Sequence, residues 1–451
     1  MGFRRTGLGV VLGLWLCACG ARSTLEAAGE PAQGGGGVGG GGSGASGGGG
    51  DGGAPPVTCS GLEVGLGPAV LPWPDAFFHS IRPDLVGLED DTVALLTGLA
   101  PVESPGPAPH AIGHVELRPW SGTALIAAEP QLVANFGGRS VVGTETGRVG
   151  LYALAMGGSP MGPPQPMQVV RSVDPKVSYA PKPFGVEIPT GPAVPEMLVE
   201  LEEGLLFGWQ IQPSGGNAYL GLARVADEVV VATSSDSGCA AFDLEARAVA
   251  APGGALMAVA SGREAFACFN DDGVPGPPQR LQTGRVDNET LAFAVVEDLP
   301  LGEPIIYLEV LQSEGHVWVL YTTDGSTAEV APPVFAQELA ADGSFVGASI
   351  TTTPSGMSGP YGAAALGSGF VVAFVDNSAG APTLVLRAFD GAGSLDSEGA
   401  VTLPGPVVGQ QLAVRTSPSQ DAALIAWSAG TSGLPNPTGL VRFDCLGVIA
   451  R

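Results

Sequence analysis

Short runs of apolar residues, each bounded by turn-forming residues, recur through most of this chain. Clear examples lie at 205–207, 317–321, 370–374 and 422–427. Short apolar runs between clusters of Gly, Pro and Asp are typical of strands that are buried on both faces. Glycine and proline recur too often for long helices, and no stretch keeps the apolar spacing that an amphipathic helix requires. The pattern therefore predicts an all-β body.

The apolar runs recur at a nearly constant interval. We take the last large residue of each run as an anchor, and successive anchors are 56, 57, 60, 52, 53 and 53 residues apart. The anchors are Leu96, Tyr152, Trp209, Phe269, Tyr321, Phe374 and Trp427. A loop, a second strand, a turn and a third short strand follow each anchor. The second strands align best at 334–339, 384–389 and 440–443, with turns at 341–344, 391–394 and 445–447, and weaker copies lie at 114–118, 168–174 and 219–224.

A period of about 50–60 residues with three or four strands per unit is typical of a β-propeller. A small antiparallel sheet that is apolar on both faces cannot bury both faces alone. Radial stacking solves this problem, because each face is then covered by the neighbouring sheet. The anchors account for residues 57–451, so the sequence predicts one propeller domain there, with seven blades of antiparallel strands.

The last three units carry a recognisable motif. Gly369-Phe370-Val371-Val372-Ala373-Phe374-Val375-Asp376 is followed at 389–395 by the pattern Phe-Asp-x-x-Gly-x-Leu. Over residues 305–451 the chain resembles bacterial propeller repeats found in proteins without an assigned function. The resemblance implies an architecture and carries over no active site.

The amino terminus has the features of an export signal. Arg4 and Arg5 precede an apolar stretch at 7–18, and Leu16-Cys17-Ala18-Cys19 resembles the lipobox of bacterial lipoproteins. This resemblance implies a signal peptide at 1–18, lipidation of Cys19 and attachment to a membrane through the lipid. Because Gly20, rather than Asp, follows Cys19, we expect an outer-membrane lipoprotein of the cell envelope, either periplasmic or surface-exposed.

Residues 19–56 are predicted to be a flexible, disordered tether. Between Gly34 and Gly53 nearly every residue is glycine, and such a segment cannot repay the entropy cost of ordering. A coil of this length has a root-mean-square span of roughly 30–35 Å. The folded body would therefore stand clear of the lipid head groups.

The charge balance excludes one class of partner. The chain has 19 Lys and Arg against 44 Asp and Glu, and removal of Arg4 and Arg5 with the signal peptide leaves 17 − 44 = −27. A surface this acidic repels phosphate backbones, so we expect no nucleic-acid partner.

Four cysteines remain after Cys17 leaves with the signal peptide and Cys19 takes the lipid: Cys59, Cys239, Cys268 and Cys445. An even number in an oxidising compartment favours disulfides, and four cysteines allow three pairings. The last unit ends without an outer strand, which the segment 59–64 would supply. This ring closure favours Cys59–Cys445, and hence Cys239–Cys268, although buried free cysteines stay an alternative.

No local pattern marks a catalytic, metal or cofactor site. His110 and His114 have a metal-ligand spacing for a helix, but nearby prolines make a helix start doubtful, so we interpret them as loop and strand residues. His316 opens an apolar strand and is interpreted as a structural edge residue. Four aspartates that follow anchors would share one rim, either as a calcium or polar-ligand site or, as we favour, as turn residues: Asp271, Asp272, Asp324 and Asp376.

These features favour a membrane-anchored, non-catalytic binding or scaffolding module with an unknown protein or glycan ligand. Two alternatives stay open. One is a periplasmic factor for outer-membrane assembly, and the other is a propeller hydrolase or lyase. Converging carboxylates at the central channel would favour the enzyme.

Overall fold

A computed structural model describes the following residues, all within one compact unit, Ala54–Arg451: 59–71, 73, 79–87, 91–100, 111–122, 124–128, 131–135, 149–153, 166–172, 182–187, 193–202, 204–211, 218–226, 229–240, 244–261, 280–301, 303, 305–325, 331–357, 359–430 and 437–446. These residues form β-strands, turns and loops, and none of them is helical. The predicted signal peptide, tether and Cys19 lie outside the described residues.

The strands of the amino-terminal half are β1 (Gly61–Leu71), β2 (His79–Gly87), β3 (Val93–Ala100), β4 (Ala111–Arg118), β5 (Ile126–Ala127), β6 (Gln131–Asn135), β7 (Val149–Ala153), β8 (Pro166–Ser172), β9 (Lys182–Glu187), β10 (Ala193–Leu201), β11 (Gly204–Ile211), β12 (Ala218–Ala226) and β13 (Val229–Ala240). Those of the carboxy-terminal half are β14 (Leu244–Ala251), β15 (Gly254–Ser261), β16 (Arg280–Asp287), β17 (Phe293–Pro300), β18 (Ile305–Ser313), β19 (His316–Thr323), β20 (Phe335–Leu339), β21 (Phe345–Thr351), β22 (Tyr361–Leu366), β23 (Gly369–Asp376), β24 (Thr383–Phe389), β25 (Leu395–Thr402), β26 (Val407–Thr416), β27 (Ala422–Ala429) and β28 (Thr438–Leu446).

Strands that follow one another in the chain are neighbours in a sheet. Three sheets are four-stranded meanders, β10 to β13, β14 to β17 and β18 to β21. Two further sheets contain β2 to β6 and β7 to β9. The largest sheet has the order β1-β28-β27-β26-β22-β23-β24-β25, and its two antiparallel halves meet through one parallel pair, Tyr361 opposite Gln411.

The first strands of the sheets contact one another in series. The contacts run from β10 to β14, β18, β22 and β26, and then from β26 to β2. The last strands are the most exposed, as the patterns of β17, β21 and β25 show. The sheets are therefore arranged radially, with first strands innermost, and the fold is β-propeller-like, as the sequence predicts.

The core lies between neighbouring sheets. Seven consecutive residues of β23 and of β27 are buried, because each of these strands is covered on both faces. Phe370 of β23 shows the packing: its ring centroid is 5.1 Å from that of Trp318 in the preceding sheet and 5.0 Å from that of Phe389. Offset and tilted ring pairs of this kind add to the energy of apolar burial.

Most anchors lie where the repeat predicts, within strands β3, β7, β11, β19, β23 and β27. Phe269 lies outside the described residues. The matching strand of its sheet is β15, which ends at Ser261 and contains the small-residue run Gly254-Ala255-Leu256-Met257-Ala258. The Phe269 anchor itself is not tested by the described residues.

Two of the three predicted turns are alike in detail. Gly343 and Gly393 have φ values of 92° and 78°, and each donates its N–H at 2.9 Å to the carbonyl three residues before, of Ala340 and Asp390 respectively. Positive φ favours glycine, which explains the glycine in register. The third predicted turn, 445–447, is wrong, because Cys445 and Leu446 continue β28. No turn is needed there, since the next strand in the sheet comes from the other end of the chain.

That strand is β1, which pairs antiparallel with β28 and places Leu62 opposite Cys445. Cys59 and Cys445 form a disulfide, with Cα atoms 5.2 Å apart. The structure thus confirms the predicted closure by the 59–64 segment and the Cys59–Cys445 pairing. Cys239 lies on β13, but Cys268 lies outside the described residues, so their pairing stays a prediction.

Candidate functional site

The histidines singled out in the sequence do not form a site in the part of the chain that is described. His316 begins β19, and its Nδ1 is 2.7 Å from Oε1 of Glu338. Its ring stacks near Trp318, with centroids 6.4 Å apart. These contacts agree with a structural role at a strand edge. His114 lies on β4, and His110 lies outside the described residues.

The rim aspartates behave as turn residues where they are described. Asp376 ends β23, and its Oδ1 accepts the N–H of Ser378 at 2.7 Å. This backbone hydrogen bond favours the charged form and lowers the pKa of the Asp376 carboxyl. Asp324 follows β19, and Asp271 and Asp272 lie outside the described residues. Within the described ranges, no group of three His, Cys, Asp or Glu residues is placed to hold a metal ion.

Charged and polar residues instead gather on the innermost strands, at positions that the sequence did not single out. Asp84 lies on β2, Glu245 and Arg247 on β14, and Tyr307 and Glu309 on β18. We call these five residues the inner-strand cluster. The four charged members are half-buried, so solvent reaches them although they lie on the innermost strands.

Strand alternation explains how β14 contributes two side chains to the cluster. Residues two apart share a face of a strand. Ala246 packs with Met197 towards the preceding sheet, whereas Val249 packs with Leu308 towards β18. Glu245 and Arg247 share the face of Val249 and are thus directed to β18.

Tyr307 and Glu309 share one face of β18 in the same way. Tyr307 is buried at 2% exposure, and its ring centroid is 5.8 Å from that of Tyr361 on the neighbouring innermost strand. The carboxylate of Asp84 is held by the adjacent backbone, because the N–H of Leu85 donates to Oδ1 of Asp84 at 2.8 Å. This face of β18 is opposite to that of Leu308, so Tyr307 and Glu309 are directed towards β22, and the link between the five residues is the electrostatic effect of Asp84, Glu245 and Arg247 on Glu309.

The surroundings of Glu309 favour its protonated form. Burial is the largest cause and raises the pKa of this carboxyl, and the negative charges of Asp84 and Glu245 raise it further. Arg247 and the backbone N–H of Val310 act in the opposite direction. The result is a pKa of about 7 for Glu309, against an ordinary value of 4.5. Glu309 can therefore hold or release a proton near neutral pH.

Two buried polar atoms of the cluster lack a hydrogen-bond partner. They are the hydroxyl of Tyr307 and Oε2 of Glu245. Burial raises the pKa of Tyr307 well above its ordinary value, and the charge of Glu309 raises it further. Six further buried side-chain atoms of the described residues share this property, among them the indole nitrogens of Trp318 and Trp427, so it does not by itself mark a site.

Sequence reasoning missed this cluster because its residues are 225 positions apart at the extremes, from Asp84 to Glu309. One local signal was present. Glu245-x-Arg247 and Tyr307-x-Glu309 place polar groups at alternate positions of otherwise apolar strands, which is unusual for strands covered on both faces.

The described residues contain no helix that is long and apolar enough to cross a membrane.

No protein-family model and no curated protein matches this chain. Similar solved structures include a protein of unknown function from Dyadobacter fermentans, at 12% identity over 86% of this chain and 100% of that chain, with a TM-score of 0.48. An α-L-arabinanase from Penicillium chrysogenum is 11% identical over 88% of this chain and 99% of that chain, with a TM-score of 0.45. A polysaccharide lyase described as an ulvan lyase is 10% identical over 86% of this chain and 94% of that chain, with a TM-score of 0.47. The strand order and inner-strand contacts of the chain itself, rather than these similarities, define its fold.

Proposed function

We propose that this protein is a lipid-anchored binding module of the bacterial cell envelope, whose propeller holds a ligand at the inner-strand cluster. What supports the proposal is the set of charged and polar residues on innermost strands β2, β14 and β18, which includes Glu309, whose pKa is raised to about 7 by burial and by the charges of Asp84 and Glu245. The ligand is either a protein segment or a glycan.

We propose that the ring has seven blades. The three four-stranded meanders, the two halves of the largest sheet and the two amino-terminal sheets give this number. The serial contacts of the innermost strands support a single ring. In the last blade, β1 supplies the outer strand.

Anchoring at the outer membrane rests on the lipobox-like segment that ends at Cys19. Metabolic labelling with an alkyne fatty acid should label the wild-type protein and not Cys19→Ala. Protease treatment of intact cells then shows which side of the outer membrane the protein faces. Digestion supports display at the surface, and protection supports a periplasmic role.

Ligand binding is tested by screening the purified domain, residues 57–451, on glycan and peptide arrays. Tyr307→Phe and Glu309→Gln should lose the signal. Glu314→Gln should keep it, because Glu314 is exposed in the turn between β18 and β19 and carries the same change of charge. Equal signals from all variants would contradict binding at the cluster.

A second candidate function is hydrolysis or elimination at the same cluster. It is favoured by the pKa of about 7 for Glu309, because a carboxyl that is protonated near neutral pH beside other carboxylates can act as a general acid. Turnover of oligosaccharides, lost in Glu309→Gln and kept in Glu314→Gln, would establish it. Stoichiometric binding of an oligosaccharide without turnover would instead support the non-catalytic binding module.

A further inference from the structure

The proposed lipid anchor is joined to the folded body through β1. In the sequence, residues 19–56 lead directly to Val57, Thr58 and Cys59, and β1 begins two residues later at Gly61. A protein that is anchored in a membrane and holds a ligand is pulled whenever the two move apart. Such a pull reaches the folded body first at Cys59.

β1 by itself is a weak attachment point. It is an edge strand, and of its eleven residues only Leu66 is buried. Its pairing with β28 shifts register between Val64 and Leu66 and again between Leu66 and Ala69. Edge elements with few buried side chains open locally at a low cost in free energy. A pull on β1 alone would therefore separate it from β28, beginning at Gly61.

β28 is held much more firmly than β1. It lies between β1 and β27, and its first six residues, Thr438–Phe443, are buried. The N–H of Cys445 donates to the carbonyl of Asp421 at 2.7 Å, which fixes the end of the strand. Arg442 also connects β28 to the neighbouring sheet through the carbonyl of Pro119. A force applied to β28 is therefore shared between two sheets.

We propose that the Cys59–Cys445 disulfide is a mechanical clamp, which passes force from the membrane anchor directly to β28 and keeps β1 from being pulled off. This inference rests on the anchoring part of the proposed function and adds a mechanical role to it. Forced unfolding is governed by the rate at which the weakest element in the path of the force opens. The disulfide removes β1 from that path.

The position of the disulfide supports a clamp over a bond that only closes the ring. A disulfide at any point along β1 and β28 would join the two ends of the sheet. Cys59, however, precedes every residue of β1 that pairs with β28, from Gly61 to Leu71. A bond farther along β1 would leave the preceding pairs exposed to the pull, whereas this bond protects all of them.

Trp73 defines where separation stops when the disulfide is absent. Its side chain is buried with Leu85 and Leu440, and its Nε1 donates to Oγ1 of Thr438 at 3.0 Å. Reduced protein should therefore release the segment 59–71 before the rest of the fold opens. The 13 residues of this segment span at most about 47 Å when fully extended.

Single-molecule force measurements on the chain 20–451 test the clamp. One handle is attached at the amino terminus, and the other at position 314, where a bio-orthogonal amino acid replaces the exposed Glu314. Oxidised protein should unfold without an early short step. Dithiothreitol is then added to molecules that are already folded and held. A first step of at most about 47 Å, at lower force than global unfolding, should appear in these reduced molecules.

Two double variants identify the bond that is responsible. Cys59→Ser/Cys445→Ser should show the early step without any reductant. Cys239→Ala/Cys268→Ala should behave as wild type, with the early step only after reduction. Loss of the step from this second variant would assign the effect to other cysteines and overturn the inference.

Reduced wild type that unfolds at the same force as oxidised protein, with no early step, would also overturn the inference. Fatty-acid labelling of Cys19 tests the anchor separately. A labelled Cys19 without a force effect would leave anchoring and binding intact. A force effect without labelling would remove the proposed anchor and leave the mechanical property of the fold.

Discussion

Cys59 and Cys445 are 386 positions apart in the sequence and are joined by a disulfide that ties β1 to β28. The bond closes the sheet in which the two ends of the folded chain meet. Without this disulfide, only the hydrogen bonds between β1 and β28 would hold the edge strand β1 in place.

The double variant Cys59→Ala/Cys445→Ala should lose about 3–5 kcal/mol in the free energy of unfolding, because a very long loop is no longer closed in the unfolded chain. Urea denaturation measures the change. Wild-type protein in dithiothreitol is the control and should show a similar loss. An unchanged urea midpoint in both cases would mean that β1 stays paired with β28 without the disulfide.

Arg442 of β28 connects the largest sheet with the sheet that contains β2 to β6. Its side chain is 7% exposed, its Nε donates to Oδ1 of Asp444 at 2.6 Å, and its Nη1 donates to the carbonyl of Pro119. Arg442→Met should cost about 2–4 kcal/mol in the free energy of unfolding, because a buried carbonyl and a carboxylate lose their donor.

Arg387 provides the matched comparison for this prediction. It pairs with Glu398 at 2.6 Å, but that carboxylate is 46% exposed. Its Nη1 also donates to the carbonyl of buried Thr352 at 3.1 Å, but its side chain is 21% exposed, so Arg387→Met should cost less than Arg442→Met, about 1–2 kcal/mol. Equal losses for the two arginine variants in urea denaturation would contradict the role of burial.

Gly369 begins β23 where the strand passes close to β24. A Cβ atom there would lie 1.9 Å from the carbonyl oxygen of Phe389. Gly369→Ala should cost at least about 1–3 kcal/mol, because backbone atoms in a packed sheet cannot move aside. Thermal unfolding of this variant is compared with that of Gly67→Ala, where a Cβ would contact nothing within 4 Å. The second variant should unfold close to wild type.

Glu309 makes stability depend on pH. Folded protein holds the Glu309 proton more tightly than unfolded chain, so this residue favours folding below pH 4.5, and the advantage is lost as pH rises through about 7. The loss is at most about 3 kcal/mol and is smaller to the extent that solvent screens the half-buried carboxyl.

Urea denaturation of wild type and Glu309→Gln at pH 5, 6, 7 and 8 measures this effect. The stability of the variant relative to wild type should rise over this range. Glu314→Gln should run parallel to wild type throughout. If the stability of Glu309→Gln also parallels that of wild type, the pKa of Glu309 is the same in the folded and the unfolded protein.

The fold was predictable because its main signal is local. Strands such as β23 and β27 are buried on both faces, so their apolar runs stand out and recur at a fixed interval. The missing outer strand of the last unit could be inferred from the same repeat. At β15 the buried residues are mostly small, so no aromatic residue marks this strand, and its anchor Phe269 lies outside the described residues.

The candidate site was not predictable, because it depends on which strands are innermost. Asp84, Glu245 and Glu309 each look like an isolated charge in the sequence. They come together only when three sheets direct their first strands to the same axis. Propeller repeats specify how sheets stack, whereas the chemistry at the centre is supplied by single residues outside the repeat motif.

The pairing of β1 with β28 also orders events during biosynthesis. The first strand of the folded unit to leave the ribosome has to wait for the last one before it finds its partner. Throughout that interval its exposed edge, which includes Val64 and Val70, is open to pairing with other chains. A chain that stops short of residue 438 therefore leaves β1 without its partner, and this sheet closes only when β1 and β28 are both present.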